Sequence, residues 1–247
     1  MNYEPILPRA RIGFIIPASN RMVEPQMHRF MPAGVIPHVT RLDMHEVPLA
    51  ALAPKLLEAA ALLTKSKCDV TVFQCTGSSM SGGVEMEKRV VRDMSALTGR
   101  PALSAASSVM AALEALHAKK IVFISENEQA GHDKKARFLR EAGYELLADK
   151  AMALAGSDQY CTMPPKLWYD TTMALRRDDA DAYFISCANI HSIDTIEELE
   201  RDLKKPIVTS NQAALWHAIR TAGINDTVPK LGKLLTLKGA ANAVAAE

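Results

Sequence analysis

The sequence predicts an α/β protein made of two similar halves, and three observations predict it. Short, nearly continuous apolar runs alternate with helical stretches, as expected of parallel strands covered on both faces: Ile12 to Ile16, Thr71 to Phe73, Ile121 to Ile124 and Tyr183 to Ile185. Two of these runs end alike, at a cysteine followed by small or polar residues, Cys75-Thr76-Gly77-Ser78-Ser79 and Cys187-Ala188-Asn189. The interval from Arg11 to Cys75 nearly equals that from Lys120 to Cys187, and the same order of elements follows each cysteine. That order is a charged helical stretch, a basic residue with proline, a short strand and an Ala-rich helix. The repeat is too long for a solenoid. It implies two α/β halves facing across a pseudo-twofold axis, one cysteine from each meeting at the interface.

The elements follow in order. Arg11 to Pro17 is the first strand, and Ala18 to Pro25 is a polar loop entering a helix. Asn20 in that loop either caps the helix or offers its amide to a ligand carboxylate. Val35 to Leu42 contains the second strand, and Leu49 to Thr64 is an amphipathic helix rich in Ala and Leu. Cys68 falls in the next loop and reads as structural. After the Cys75 strand a helix runs from near Gly82 and Gly83 to Leu97, stopped by Gly99. Arg100-Pro101 then opens a short strand, and Val109 to His117 is a helix.

The second half enters on the strand Lys120 to Ser125. Glu126 to His132 is a polar loop before a helix from Asp133 to Ala142, which Gly143 ends. Asp149 to Pro165 is the least regular part and includes Cys161, read as filler; a helix starts near Lys166. Beyond Cys187, Asp194-Thr195-Ile196-Glu197 fits a capping box for a helix from Thr195 to Leu203, and His191 reads as a loop residue. Lys205-Pro206 opens the last strand, and Ala213 to Ala222 is the last helix.

Composition bounds the function. The chain has 247 residues, 48% of them hydrophobic, enough for one large or two small domains with a core. Lys plus Arg number 29 against 28 Asp plus Glu, a net charge of +1, so nothing points to nucleic acid or a membrane surface. The N-terminus lacks a basic region followed by an apolar core, and no apolar run reaches the roughly 20 residues of a membrane span. A soluble, cytoplasmic protein is expected. Its four cysteines, Cys68, Cys75, Cys161 and Cys187, form no C-x-x-C pair and no zinc spacing, so free thiols and no metal are expected.

In an open α/β sheet ligands bind beyond the carboxyl ends of the strands. The Thr76-Gly77-Ser78-Ser79 run puts backbone N–H groups at a helix start, an electropositive place that favours a thiolate at Cys75. A lone cysteine at a strand end is more often a small buried hydrophobe. The second copy shifts the reading toward chemistry.

The loop Pro17-Ala18-Ser19-Asn20 with Val23-Glu24-Pro25, the two cysteine turns, and Ser210-Asn211-Gln212-Ala213 with Trp216-His217 resemble the maleate cis-trans isomerase branch of the aspartate/glutamate racemase superfamily, which adjoins the arylmalonate decarboxylases. The similarity spans nearly the whole chain. It implies two flavodoxin-like α/β subdomains with parallel sheets, residues 1–105 with 212–247 and residues 106–211. It also implies a small carboxylic acid bound between them, no cofactor, no metal, and a homo-oligomer, dimer or larger. Cys75 would attack the alkene of a small dicarboxylate to give a succinyl-type intermediate that rotates about a single bond, and Cys187 would supply or accept the proton at the neighbouring carbon. Asn20, Thr76, Gly77, Ser78, Asn127, Gln159, Ala188 and Asn189 would bind substrate.

The chain departs from that branch in two places. The branch carries a tyrosine over the substrate where the nearest match here is Asn127, with no aromatic residue between Ser125 and Arg137, and the first turn reads Cys-Thr-Gly-Ser in place of Cys-Thr-Ser-Gly. Three rivals to the isomerase stay open. A two-cysteine racemase would use the thiols as an acid/base pair, although amino-acid racemases usually show Cys-Asn-Thr at the first site. Arylmalonate decarboxylation resembles a one-cysteine site. A non-catalytic acid-binding or thiol-redox protein would need Cys75 and Cys187 to be dispensable or to pair as a disulfide, and their separate turns give no redox motif.

Overall fold

The computed structural model describes residues 7–44 and 47–239. Two four-stranded parallel sheets share one strand order. The first, β2-β1-β3-β4, holds β1 (Ala10–Pro17), β2 (Val35–Leu42), β3 (Val70–Phe73) and β4 (Ala102–Ser104). The second, β6-β5-β7-β8, holds β5 (Lys120–Ser125), β6 (Glu145–Ala151), β7 (Ala182–Ile185) and β8 (Ile207–Thr209). All four residues of β3 and of β7 are buried, the signature of central strands covered on both faces. In each sheet the strand order reverses beside the first strand, where such sheets open a crevice for ligands.

The helices are α1 (Val23–Phe30), α2 (Leu49–Lys65), α3 (Thr76–Met80), α4 (Val84–Thr98), α5 (Ala105–Ala115), α6 (Gln129–Glu141), α7 (Gly156–Thr162), α8 (Pro165–Ala174), α9 (Ile196–Leu203) and α10 (Ser210–Thr221). Of these, α5 and α10 hold the halves together. They occupy equivalent places after β4 and β8, and both open on a capping box. Ser104 Oγ accepts the Ser107 amide while Ser107 Oγ accepts the Ser104 amide; Thr209 and Gln212 repeat the exchange. The two helices pack on each other, and each crosses to the opposite half, α10 to β1 and β3 and α5 to β8. One hydrophobic core therefore runs from Ile12 and Phe14 through Val109 and Leu113 to Phe184 and Ile219. A second core lies under α2 and α4, built from Leu52, Leu56, Leu63 and Met94.

Several expected boundaries move, each for a local reason. The capping boxes start α5 and α10 a few residues before their Ala-rich runs. Helix α6 starts at Gln129 and takes in Gly131, where an added Cβ would meet Asn127 Cβ at 2.9 Å. The irregular segment from Asp149 to Pro165 contains the end of β6 and all of α7; β6 is an edge strand with no fully buried residue, so it lacks an apolar run. The capping box expected at Asp194 does not form. Asp194 Oδ1 accepts from Arg29 at 2.5 Å, Thr195 Oγ1 donates to the Ser192 carbonyl, and residues 192–195 make a 3₁₀ turn. No helix among the described residues is long and apolar enough to cross a membrane.

At the α5–α10 contact His217 Nδ1 lies 3.3 Å from Ser108 Oγ, and burial lowers its pKa from 6.5 to about 4. The folded chain thus holds this histidine neutral where the unfolded chain protonates it. Its contribution to stability is complete above pH 6.5 and is lost as pH falls toward 4. We expect His217→Gln to flatten the pH dependence of unfolding across that window by roughly 2 kcal/mol, allowing for partial exposure of the ring. Urea melts at pH 7 and pH 4.5 check this, and an unchanged slope contradicts it.

Candidate active site

The two cysteine turns leave their sheets in the same way. Beyond β3 the Gln74 amide donates to the Ile15 carbonyl at 2.8 Å, and beyond β7 the Ser186 amide donates to the Ile124 carbonyl at 2.8 Å. Each places the next residue, Cys75 or Cys187, at the carboxyl edge of its sheet. From there the turns diverge. Cys75 is extended, with φ −142°, and serves as N-cap of α3. Cys187 sits at φ +114°, a conformation that costs a side-chain-bearing residue about 1–3 kcal/mol. Its amide donates to Ser210 Oγ at 3.1 Å, and the Asn189 amide donates to its sulfur at 3.3 Å.

Buried polar side chains join the turns across the pseudo-twofold. Thr76 Oγ1 donates at 2.9 Å to the same Ser210 hydroxyl that receives the Cys187 amide. Gln74 Nε2 donates to the Ser210 carbonyl and to Asn211 Oδ1, at 3.1 and 2.9 Å. Asn211 Nδ2 bonds Gln26 Oε1 and the Ala188 carbonyl, which also receives Asn20 Nδ2 at 3.0 Å. These residues are all buried, so the network fixes one relative placement of the two turns.

Both thiols border one buried ion pair. Lys135 Nζ on α6 lies 2.8 and 2.7 Å from the Glu126 carboxylate oxygens and 3.1 Å from Ser186 Oγ. Lys135 and Glu126 are 2% and 4% exposed, so each charge depends on the other. Burial raises the Cys75 thiol above its ordinary pKa, and the Ser78 hydroxyl and amide and the Lys135 charge pull it back. Burial pushes the Cys187 thiol up further, and Glu126 adds to the rise more than Lys135 relieves it. A helix start alone favours a thiolate at Cys75, but here desolvation outweighs it. Helix α7 contributes Tyr160, whose hydroxyl is raised to about 12 by burial and by Glu126 and Cys187. Asn127 Nδ2 donates to that hydroxyl at 3.4 Å.

Residues 6–235 match the family model for arylmalonate decarboxylase. The chain belongs to the arylmalonate decarboxylase family. It is 26% identical over 246 residues to a maleate isomerase of Nocardia farcinica, covering 94% of this chain and 98% of that one. Its fold matches a cysteine-to-alanine variant of the maleate isomerase Iso from Pseudomonas putida S16, solved with maleate. There the TM-score is 0.86 and the identity 20%, over 92% of this chain and 97% of that one. It also matches a cysteine-to-serine mutant of the Nocardia farcinica maleate cis-trans isomerase with a covalently bound succinylcysteine intermediate. There the TM-score is 0.85 and the identity 23%, over 92% and 98%.

Within this family member most of the sequence-predicted residues lie on the two cysteine turns. Cys75, Thr76, Gly77 and Ser78 form the first turn, and Cys187, Ala188 and Asn189 the second. Asn20 Oδ1 accepts the Met22 and Val23 amides at the start of α1 while its Nδ2 reaches Ala188, so one side chain both caps and links the halves. Asn189 Oδ1 accepts the Arg21 amide at 2.8 Å. Asn127 lies beside Tyr160. Gln159 is exposed, and its Oε1 accepts the Ala155 amide at 2.7 Å, a local bond at the head of α7. Cys68 is buried with its pKa raised to about 11 by desolvation, as a structural thiol should be.

Sequence reasoning missed Tyr160, Glu126 and Lys135. Glu126 carried one usable signal, a charge directly beyond a buried strand. Lys135 carried another, a lysine on the helix face shared with Ala136, Phe138 and Leu139.

The Cys187 backbone yields a stability test. Glycine adopts φ +114° without the steric penalty. Cys187→Gly should therefore unfold about 1 kcal/mol harder than Cys187→Ala, net of the glycine's own entropy cost. Paired thermal melts read the difference; an alanine variant as stable as the glycine one contradicts strain at this residue.

Proposed function

We propose that this enzyme is a cofactor-independent cis-trans isomerase of a small dicarboxylate, of the maleate-to-fumarate type, acting through thiolate addition by Cys75. The observation that carries the reading is the pairing of two cysteine turns around one Ser210 hydroxyl and one buried ion pair. It gives a nucleophile and a proton donor from opposite halves, and the family relatives that are maleate isomerases support the choice of substrate class.

The chemistry follows from the groups in place. The Cys75 thiolate forms a C–S bond at one alkene carbon, and the π electron pair moves to the neighbouring carbon as enolate-like charge. That carbon takes the proton of the Cys187 thiol. Rotation about the resulting single bond brings the carboxylates trans, Cys187 takes a proton back, and the C–S bond breaks to return the Cys75 thiolate. The Thr76 and Gly77 amides, which open α3, suit one carboxylate. The Asn127 amide and the Tyr160 hydroxyl suit the other, so Tyr160 stands in for the aromatic residue that the sequence lacks after Ser125. We place the enzyme in a reducing cytoplasm, where Cys75 and Cys187 stay free thiols as they are in the structure, and expect a homo-oligomer.

Proton NMR in D₂O with maleate, aspartate, glutamate and phenylmalonate tests the reading. The fumarate resonance should grow at the expense of maleate, with no α-proton loss from the amino acids and no decarboxylation. Exchange of an amino-acid α-proton without alkene isomerisation indicates a two-thiol racemase, and carbon dioxide loss from phenylmalonate indicates a decarboxylase.

A further inference from the structure

The turns around Cys75 and Cys187 start alike, yet the isomerase reading needs opposite things of them: one thiol must ionise and the other must keep its proton. The polar network through Ser210 touches both turns and does not distinguish them. The Glu126–Lys135 pair does, because it is a buried dipole with its two ends differently placed. The stem of Lys135 runs against the first turn, where a Cβ added at Gly77 would lie 3.8 Å from Lys135 Cε, and α3 packs on α6, while the ammonium also donates to Ser186 Oγ, one residue before Cys187, at 3.1 Å. Glu126 directly follows β5, whose neighbour β7 delivers Cys187.

We infer that the Glu126–Lys135 ion pair assigns the two thiols their roles, Lys135 holding Cys75 as the thiol that ionises first and Glu126 keeping Cys187 as the proton donor. The other groups facing the thiols fit this division. On Cys75 the Ser78 hydroxyl and amide assist Lys135, with Glu126 the opposing charge. On Cys187 the Glu126 carboxylate acts as a charge that holds the proton on, opposed by Lys135 and the Asn189 amide. Tyr160, the remaining titratable neighbour, stays neutral up to about pH 12. Because Lys135 cancels the charge of Glu126, the pair orders the thiols without adding net negative charge against a dicarboxylate. A Cys187 thiolate formed beside Glu126 is destabilised, which favours return of the proton and completion of the cycle. Glu126 and Lys135 are positioning residues that exchange no proton with substrate.

The inference rests on the isomerase reading for its purpose, and its test uses no substrate. Iodoacetamide alkylation of Cys75 and Cys187 is followed by peptide mass spectrometry across pH in the full chain. In wild type the Cys75 midpoint should lie below that of Cys187. Removing one charge strands the other in the core, so the informative variant is the double one, Glu126→Gln with Lys135→Met. It should bring the two midpoints together by about one pH unit, a tenfold change in relative ionisation. A purely structural pair would lower stability and leave that gap unchanged. Wild-type Cys187 reacting at lower pH than Cys75, a folded double variant that keeps the wild-type gap, or no reaction of either thiol in the folded chain overturns the inference. If the order holds while NMR shows no isomerisation, the isomerase reading fails and the electrostatic ordering stands.

Discussion

Ser210, the first residue of α10, accepts the Cys187 amide and the Thr76 hydroxyl on one oxygen, while its carbonyl accepts from Gln74 Nε2. That small group ties the last turn of each half to a helix that belongs to both. α10 is positioned by its own capping box at Thr209 and Gln212 and by its packing on α5, β1 and β3. The separation of the two thiols is therefore set by the same core that holds the halves together. An unpaired hydroxyl or amide in this layer would cost about 1–3 kcal/mol, so the network resists any slip of one turn past the other.

On this near-symmetric frame the two cysteine turns are not alike. The backbone differs, with Cys75 extended at a helix start and Cys187 at a positive φ. The electrostatics differ as well, since one ion pair lies between two turns that symmetry would make alike. Each α/β half supplies one cysteine, whereas the buried pair Glu126 and Lys135 belongs to the second half alone.

Much of this was legible because the signals are local. Buried parallel strands are short apolar runs, and the step from strand to Cys75 or Cys187 is written in adjacent residues. The repeat of those steps revealed the two halves. Asn20 read as a cap or as a ligand for a carboxylate; the structure shows the cap and, in addition, a bond from its Nδ2 to the Ala188 carbonyl that no local pattern could reveal. What stayed hidden depends on tertiary placement. β6 is an edge strand without an apolar run; Tyr160 reaches Asn127 from 33 residues away; Lys135 is buried among groups distant in sequence, with α3 packed on its helix and Ser186 on its ammonium. At Cys75 likewise the helix start that favours a thiolate was visible in the sequence and the burial that opposes it was not.

The central claim is that carbon bonds to the Cys75 sulfur while Cys187 handles the proton. Intact-protein mass spectrometry of Cys187→Ser incubated with maleate, followed by peptide mapping, tests it most directly. The account predicts added mass equal to the intact acid, located on Cys75 and absent from Cys75→Ser. Full isomerase activity in Cys75→Ser, or an adduct that maps to Cys187 in wild type and never to Cys75, would contradict it.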